Sequence, residues 1–321
     1  PDNWFFGYQQ VKKHPRIQAE YLQVTKESFR GNLHFFLSHY LQFRGVDVIF
    51  ITSSLHFNLI LAKQFGLLCK QKWIFLNLDL ISKLKQSNGL LKAVKLADKI
   101  VSPSQTQNEF LFSRGVRKSS LEFIHFGVDK KFYQPLLSQN DDSIVLAVGR
   151  DAGRDYETLL KAMVGLKERA IIMCRSRNMK HLAVNLPNNV ELINEATPLA
   201  TRQYYQHALI SVVPSYDSNK VQGSDCSGQT VILESMAYGR PVIATRKAWL
   251  EDYFIEDQHL IVVEPENPVA LRKAIESLSA DQRLRESLIG EGRKLIESQF
   301  NSEVMGQQIT QVILNIVLRN T

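Results

Sequence analysis

Two short stretches carry residues whose types and spacing could do chemistry. "GRDAGR" (149–154) holds Arg150 and Arg154 four positions apart. "SGQTVILESMAYGRPVIAT" (227–245) opens on Ser227, Gly228, Gln229 and Thr230 and carries Glu234 inside an otherwise apolar run. Guanidinium groups bind phosphate oxygens by paired, charge-assisted hydrogen bonds. A helix N-terminus attracts the same oxygens through its free amides and its dipole. A carboxylate one helical turn further on can accept two hydrogen bonds from a sugar diol. Taken one at a time, the same residues also suit surface arginines and a solvated glutamate on an amphipathic helix.

The elements that must position them are legible in the pattern. Asp225 or Ser227 is expected to cap the helix, Gly228 to admit a close neighbour, and Gly239 with Pro241 to end it. At about 100° per residue, Ile232, Leu233 and Met236 share one face, whereas Thr230, Glu234 and Tyr238 share another. "VIAT" (242–245) then reads as a buried strand. From residue 142 to the end, apolar strands alternate with amphipathic helices: "DSIVLAVG", "RAIIMC", "VELIN", "LISVVPS" and "HLIVVEP" are strands. Continuous apolar strands separated by helices mean a parallel sheet covered on both faces, with ligands at its carboxyl edge. The first half repeats the theme in "VDVIFIT", "KWIFLNLD", "DKIVSPS" and "LEFIHFGVD". "YQPLLSQNDD" (133–142) is the linker candidate, so the expectation is an α/β chain with two doubly wound domains, 1–138 and 139–301.

Charge separates the halves. Residues 1–137 hold 19 Lys/Arg against 9 Asp/Glu, and the rest hold 20 against 23. The basic half points to an anionic partner, and its Leu-, Phe- and Trp-interleaved basic segments fit acidic lipid headgroups as well as solvated helix faces. No aromatic–basic stacking motif supports nucleic acid. The 3 cysteines show no paired spacing and suit a reducing cytosol. His34 and His39 lie on different helix faces and make no metal pair. The chain opens on Pro without a signal-peptide pattern, and no apolar run reaches bilayer-spanning length.

"LADKIVSPSQTQNEFLFSRGV", "IHFGVDKKFYQP", "SIVLAVGR", "YYQHALISVVPS" and "ILESMAYGRPVIAT", in that order, resemble the retaining family 4 glycosyltransferases (glycosyl transferases group 1). The resemblance covers roughly residues 95–300. It implies the GT-B fold, two facing Rossmann-like domains with a cleft between them, with the final helix 302–321 crossing back to the first. It implies transfer of a sugar from a UDP- or GDP-type donor to a glycan or lipid-linked acceptor, the first domain taking the acceptor and the second the donor, with retention and no cofactor. The family assigns the diphosphate to the matches Arg150 and Arg154, and the ribose to Glu234. Sugar and phosphate contacts fall to Ser227, Gly228, Gln229 and Thr230. A second family glutamate, eight residues earlier, is here Cys226, which leaves its role to Asp225 or to Asp217. The family histidine is replaced by Asn77 and Asp79, with His56 the nearest alternative. "CRSRN" (174–178) replaces a family GDG and brings Arg175 toward base or phosphate. With no Asp-x-Asp motif, metal independence is expected, as is a cytoplasmic protein at the inner face of the membrane. The departures also fit a second class, a catalytically silent module that binds nucleotide or a partner protein.

Overall fold

The computed structural model describes residues 6–22, 34, 37–52, 66–68, 70–77, 91–92, 94–135, 143–176, 178, 182, 186–194, 197–217 and 225–318. His56, Asp79 and most of the 133–142 linker candidate lie outside them. The chain divides into two compact units, Gly7–His125 with Met305–Thr321, and Pro1–Phe6 with Phe126–Val304.

The first unit begins with the short helices α1 (Tyr8–Lys13) and α2 (Tyr40–Arg44). Strands β1 (Val48–Ile51), β2 (Lys72–Leu76), β3 (Lys99–Ser102) and β4 (Leu121–Phe123) follow, with helix α3 (Gln105–Ser113) between the last two. The strands pair in the order β1-β2-β3-β4, every pair parallel. Apolar residues drive the assembly: Trp73, Phe75, Ile100, Leu111 and Val94 form one buried cluster with Phe43 and Leu68. Asp98 ties the β2 start to the β3 start by accepting from the Trp73 N–H at 2.9 Å.

The second unit builds on β5 (Ile144–Val148), α4 (Tyr156–Met163), β6 (Arg169–Cys174), β7 (Val190–Asn194), α5 (Pro198–His207) and β8 (Ala208–Val213). It continues through α6 (Gln229–Ala237), β9 (Val242–Thr245), β10 (Ile261–Val263), α7 (Pro268–Ala280), α8 (Gln282–Ser298) and α9 (Ser302–Leu318). The last of these runs on into the first unit's share of the chain. Six parallel strands lie in the order β10-β9-β8-β5-β6-β7. Strands β5, β6, β8 and β9 are buried along almost their whole length, as continuous apolar runs require in a sheet covered on both faces. The order reverses between β5 and β8: the chain moves out through β6 and β7, then returns to β8 and leaves the other way. Loops after β5 and β8 therefore diverge around a crevice at the carboxyl edge, the place where doubly wound sheets take ligands. Arg150 and Arg154 sit on one of these loops, and residues 225–230 on the other.

Candidate active site

The whole constellation belongs to the unit Phe126–Val304. Strand β5 is followed by Gly149, whose N–H donates to Met173 O at 3.0 Å and whose carbonyl accepts from Tyr156 Oη at 2.9 Å. Asp155 caps α4, taking the Thr158 N–H at 3.0 Å and the Thr158 hydroxyl at 2.6 Å. That cap fixes the backbone immediately after Arg154. The arginine side chain then runs back across Gly149, where a Cβ would stand 2.4 Å from Arg154 Nε. It reaches Gly228, where a Cβ would stand 3.0 Å from Arg154 Nη1. Two glycines thus make the slot that carries the guanidinium from the end of β5 to the start of α6. Arg154 is 5% exposed, and its Nε and Nη1 have no hydrogen-bond partner. A buried, unpartnered guanidinium is costly unless an anion completes it.

Helix α6 meets that charge with an open end. The N-cap is Gly228 rather than Asp225 or Ser227: a tight turn, closed by Gln229 N–H donating to Cys226 O at 3.1 Å, leads into it. Gly228 has a φ of +100°, a left-handed conformation that replaces the extended one in which a serine or aspartate caps. Ser227 is 5% exposed and its Oγ makes no bond. Gln229 is buried and Thr230 half-buried at the first turn. The far end follows expectation. Gly239 has a φ of +73°, Gly239 N–H donates to Met236 O at 3.0 Å, and Arg240 N–H donates to Ser235 O at 2.9 Å. Ile232, Leu233 and Met236 are buried.

Glu234 stands on the other face, partly open to solvent. Desolvation pushes its carboxyl up to about 7, opposed by a hydrogen bond from Tyr133 and by the nearby charge of Arg150. Tyr238, expected on the same face as Thr230 and Glu234, is 3% exposed and stacked on Tyr205 at 4.7 Å between ring centroids. Tyr133 completes this aromatic wall, edge-on to Tyr238 at 5.4 Å. Its residue type was read as the start of a linker, yet it is 3% exposed. Its position in a polar, proline-containing run concealed the contact.

Other expected residues fall at various distances from this centre. Arg150 is exposed at the carboxyl end of β5. Arg175 is exposed after β6, on a loop that leans on the arginine loop through Asn178 Nδ2 donating to Asp151 O at 3.4 Å. Burial raises the Cys226 thiol well above its usual range, so it is a neutral space-filler rather than a nucleophile. Lys247, just beyond β9, was missed. It donates to Tyr216 O, and burial lowers its pKa against the pull of Asp217, Asp151 and Asp225. Tyr216 N–H in turn donates to Gly153 O at 2.9 Å, and Ser215 N–H to Thr245 Oγ1 at 3.1 Å. The loop after β8 is therefore stitched on one side to the arginine loop and on the other to β9. Asn77, in the other unit, is fully buried and donates to Ser102 Oγ at 3.1 Å. Among the described residues no group of three His, Cys, Asp or Glu could hold a metal ion.

Comparisons with known proteins bear on the family and the fold. The family model for glycosyl transferases group 1 matches residues 128–295, more than half of the chain. A capsular polysaccharide biosynthesis glycosyltransferase of Staphylococcus aureus, CapM, is 23% identical over 274 residues, which is 83% of this chain and 67% of that protein. Among solved structures, sucrose-phosphate synthase from Thermosynechococcus elongatus is similar with a TM-score of 0.73 and 24% identity, over 95% of this chain and 83% of that one. HepE of Anabaena, solved with UDP-glucose, is similar with a TM-score of 0.70 and 15% identity, over 88% and 82%. These likenesses identify the fold as GT-B, an α/β architecture of two Rossmann-like parallel-sheet domains. The chain is a glycosyltransferase of the glycosyl transferases group 1 family.

Proposed function

We propose that this enzyme is a retaining, metal-independent family 4 transferase that moves a hexose-type sugar from a nucleoside diphosphate to an acceptor hydroxyl on a glycan of the cell envelope or its lipid-linked precursor. The observation that carries the reading is the buried Arg154 guanidinium, its Nε and Nη1 without a hydrogen-bond partner, lying against the start of α6 at Gly228, an N-cap that carries no side chain. A diphosphate placed there satisfies both at once. As the glycosidic bond breaks, negative charge grows on the leaving phosphate, and Arg154, Arg150 and the helix amides stabilise it without reorganising. Glu234 holds the ribose hydroxyls against the Tyr133–Tyr238 wall, and Asp225 and Thr230 lie where the sugar follows. Lys247 holds Tyr216, next to Asp217, by donating to its carbonyl. The donor is a co-substrate, and no resident cofactor enters the reading. The relatives support it: HepE was solved with UDP-glucose, and CapM is a capsular polysaccharide enzyme.

Donor turnover tests it. Purified protein incubated with UDP- and GDP-sugars and EDTA is expected to release nucleoside diphosphate slowly and the sugar as the donor's own anomer, read by NMR. Nucleotide binding without any release, with envelope acceptors supplied, would instead mark a silent binding module.

A further inference from the structure

A second helix start resembles the one at α6, and it lies in the other unit. Helix α3 follows the carboxyl end of β3 directly, and its sequence "SQTQ" (104–107) carries the residues for mutual capping, a serine at N-cap and a glutamine three positions on. Neither side chain caps. Ser104 has the extended backbone that capping needs, φ −154° and ψ 140°, but makes no side-chain cap bond. Its Oγ has no partner, nor has either atom of the Gln107 amide, although each residue is only 1% exposed. Asn108 Oδ1 is likewise buried without a partner. By contrast, Asp155, Thr197, Asn267, Asp281 and Asn301 cap α4, α5, α7, α8 and α9 with their side chains. Polar side chains sealed from water and left unbonded are rare in folded proteins. Here two such side chains and the Oδ1 of a third residue occur within five positions, beneath a first turn whose Gln105 and Thr106 face solvent.

We propose that the start of α3 is an oxyanion subsite that takes a phosphoryl group of the acceptor. The serine hydroxyl, the Gln107 amide N–H2 and the amides at the positive end of the helix dipole can donate to phosphoryl oxygens, and Gln107 Oε1 and Asn108 Oδ1 can accept from a P–OH. A cation would face the positive end of the dipole, and an apolar ligand would leave all of these groups unsatisfied. A neutral hydroxyl would use the donors but not the dipole, nor the 19 to 9 excess of Lys/Arg over Asp/Glu in residues 1–137. The inference rests on the reading that the unit Gly7–His125 serves the acceptor. It adds that the acceptor is phosphorylated.

The test uses the full chain with UDP saturating the donor site. Inorganic phosphate is titrated while the melting temperature and the Gln107 side-chain amide resonance are followed. Wild type is expected to respond to both. Gln107→Leu and Gln107→Glu are expected to weaken phosphate about tenfold or more, with UDP affinity unchanged. Without phosphate, Gln107→Leu should melt no lower than wild type, because it removes an unpaired amide rather than a bond. Ser104→Ala, a smaller change, serves if either glutamine variant fails to fold. Unchanged phosphate affinity in these variants, or no response in wild type, overturns the proposal. Glucose 1-phosphate and phosphatidylcholine vesicles carrying phosphatidic acid, tried as competitors of phosphate, separate a soluble acceptor from a lipid one, and competition by neither overturns the acceptor assignment. A chain that fails to bind UDP refutes the donor reading alone, since phosphate can still be titrated.

Discussion

Arg154 spends folding stability on binding. Its guanidinium is desolvated between Gly149 and Gly228 with two nitrogen atoms unpaired, so the ligand-free protein carries the cost of a buried charge. Arg154→Met keeps the bulk and removes that cost. Its unfolding free energy without nucleotide is expected to equal wild type or exceed it by about 1 kcal/mol in urea denaturation. Loss of several kcal/mol would mean the arginine is a structural bolt. Glu234 behaves similarly and adds a pH signature. Its carboxyl rises from 4.5 to about 7 by desolvation, so the folded protein holds this proton more tightly than the unfolded chain. Its contribution to stability is therefore complete at acidic pH and falls as pH climbs through that window, by about 3 kcal/mol. Glu234→Gln should lose that slope. Ribose hydroxyls donate to the ionised form, so UDP affinity should rise as pH passes through about 7, and the glutamine variant should bind weakly with a flat profile.

At the scale of elements, α6 shows what the sequence made legible and what it withheld. Its apolar face, the left-handed Gly239 exit and the following strand were readable because each depends on neighbours within a turn or two. Its entry was misread: Asp225 and Ser227 are good capping types, but capping depends on the backbone at Gly228, which packing against Val213 and Arg154 sets. Tyr133 and Lys247 were missed for a related reason. Nothing in their local sequence records that they meet Glu234 and Tyr216, more than 30 residues away or across a strand end. The arginine pair was singled out by its place after a strand end and Glu234 by its place one turn into the following helix, and the structure puts both on loops and helix starts at the carboxyl edge of one parallel sheet. Gly228→Ala tests the slot. A methyl there stands 2.8 Å from Val213 Cγ1 at a positive φ, and is expected to cost at least about 1 kcal/mol of stability. It should also displace Arg154 and so weaken UDP binding, measured by calorimetry.

For the whole molecule, alternating strands and helices fixed the α/β class and two parallel sheets before any coordinates. Strand order was not readable, because no local pattern says that β8 returns beside β5. The charge division is a whole-molecule property too. No helix among the described residues is long and apolar enough to cross a membrane. The basic first half is where we propose contact with anionic lipid. Sedimentation with vesicles is expected to pull the protein down with phosphatidylglycerol and not with phosphatidylcholine alone, and about 0.5 M salt should release it through screening. Equal recovery with both lipids would remove the membrane from the account.

The most direct test of the donor site compares UDP with uridine, by calorimetry, on wild type and Arg154→Met. Only UDP carries the pyrophosphate that the guanidinium and the α6 amides are held to grip. In wild type UDP should bind far more tightly than uridine, and Arg154→Met should weaken UDP by about a hundredfold while leaving uridine nearly unchanged. A variant that keeps the full wild-type preference for UDP over uridine would contradict the account at its centre.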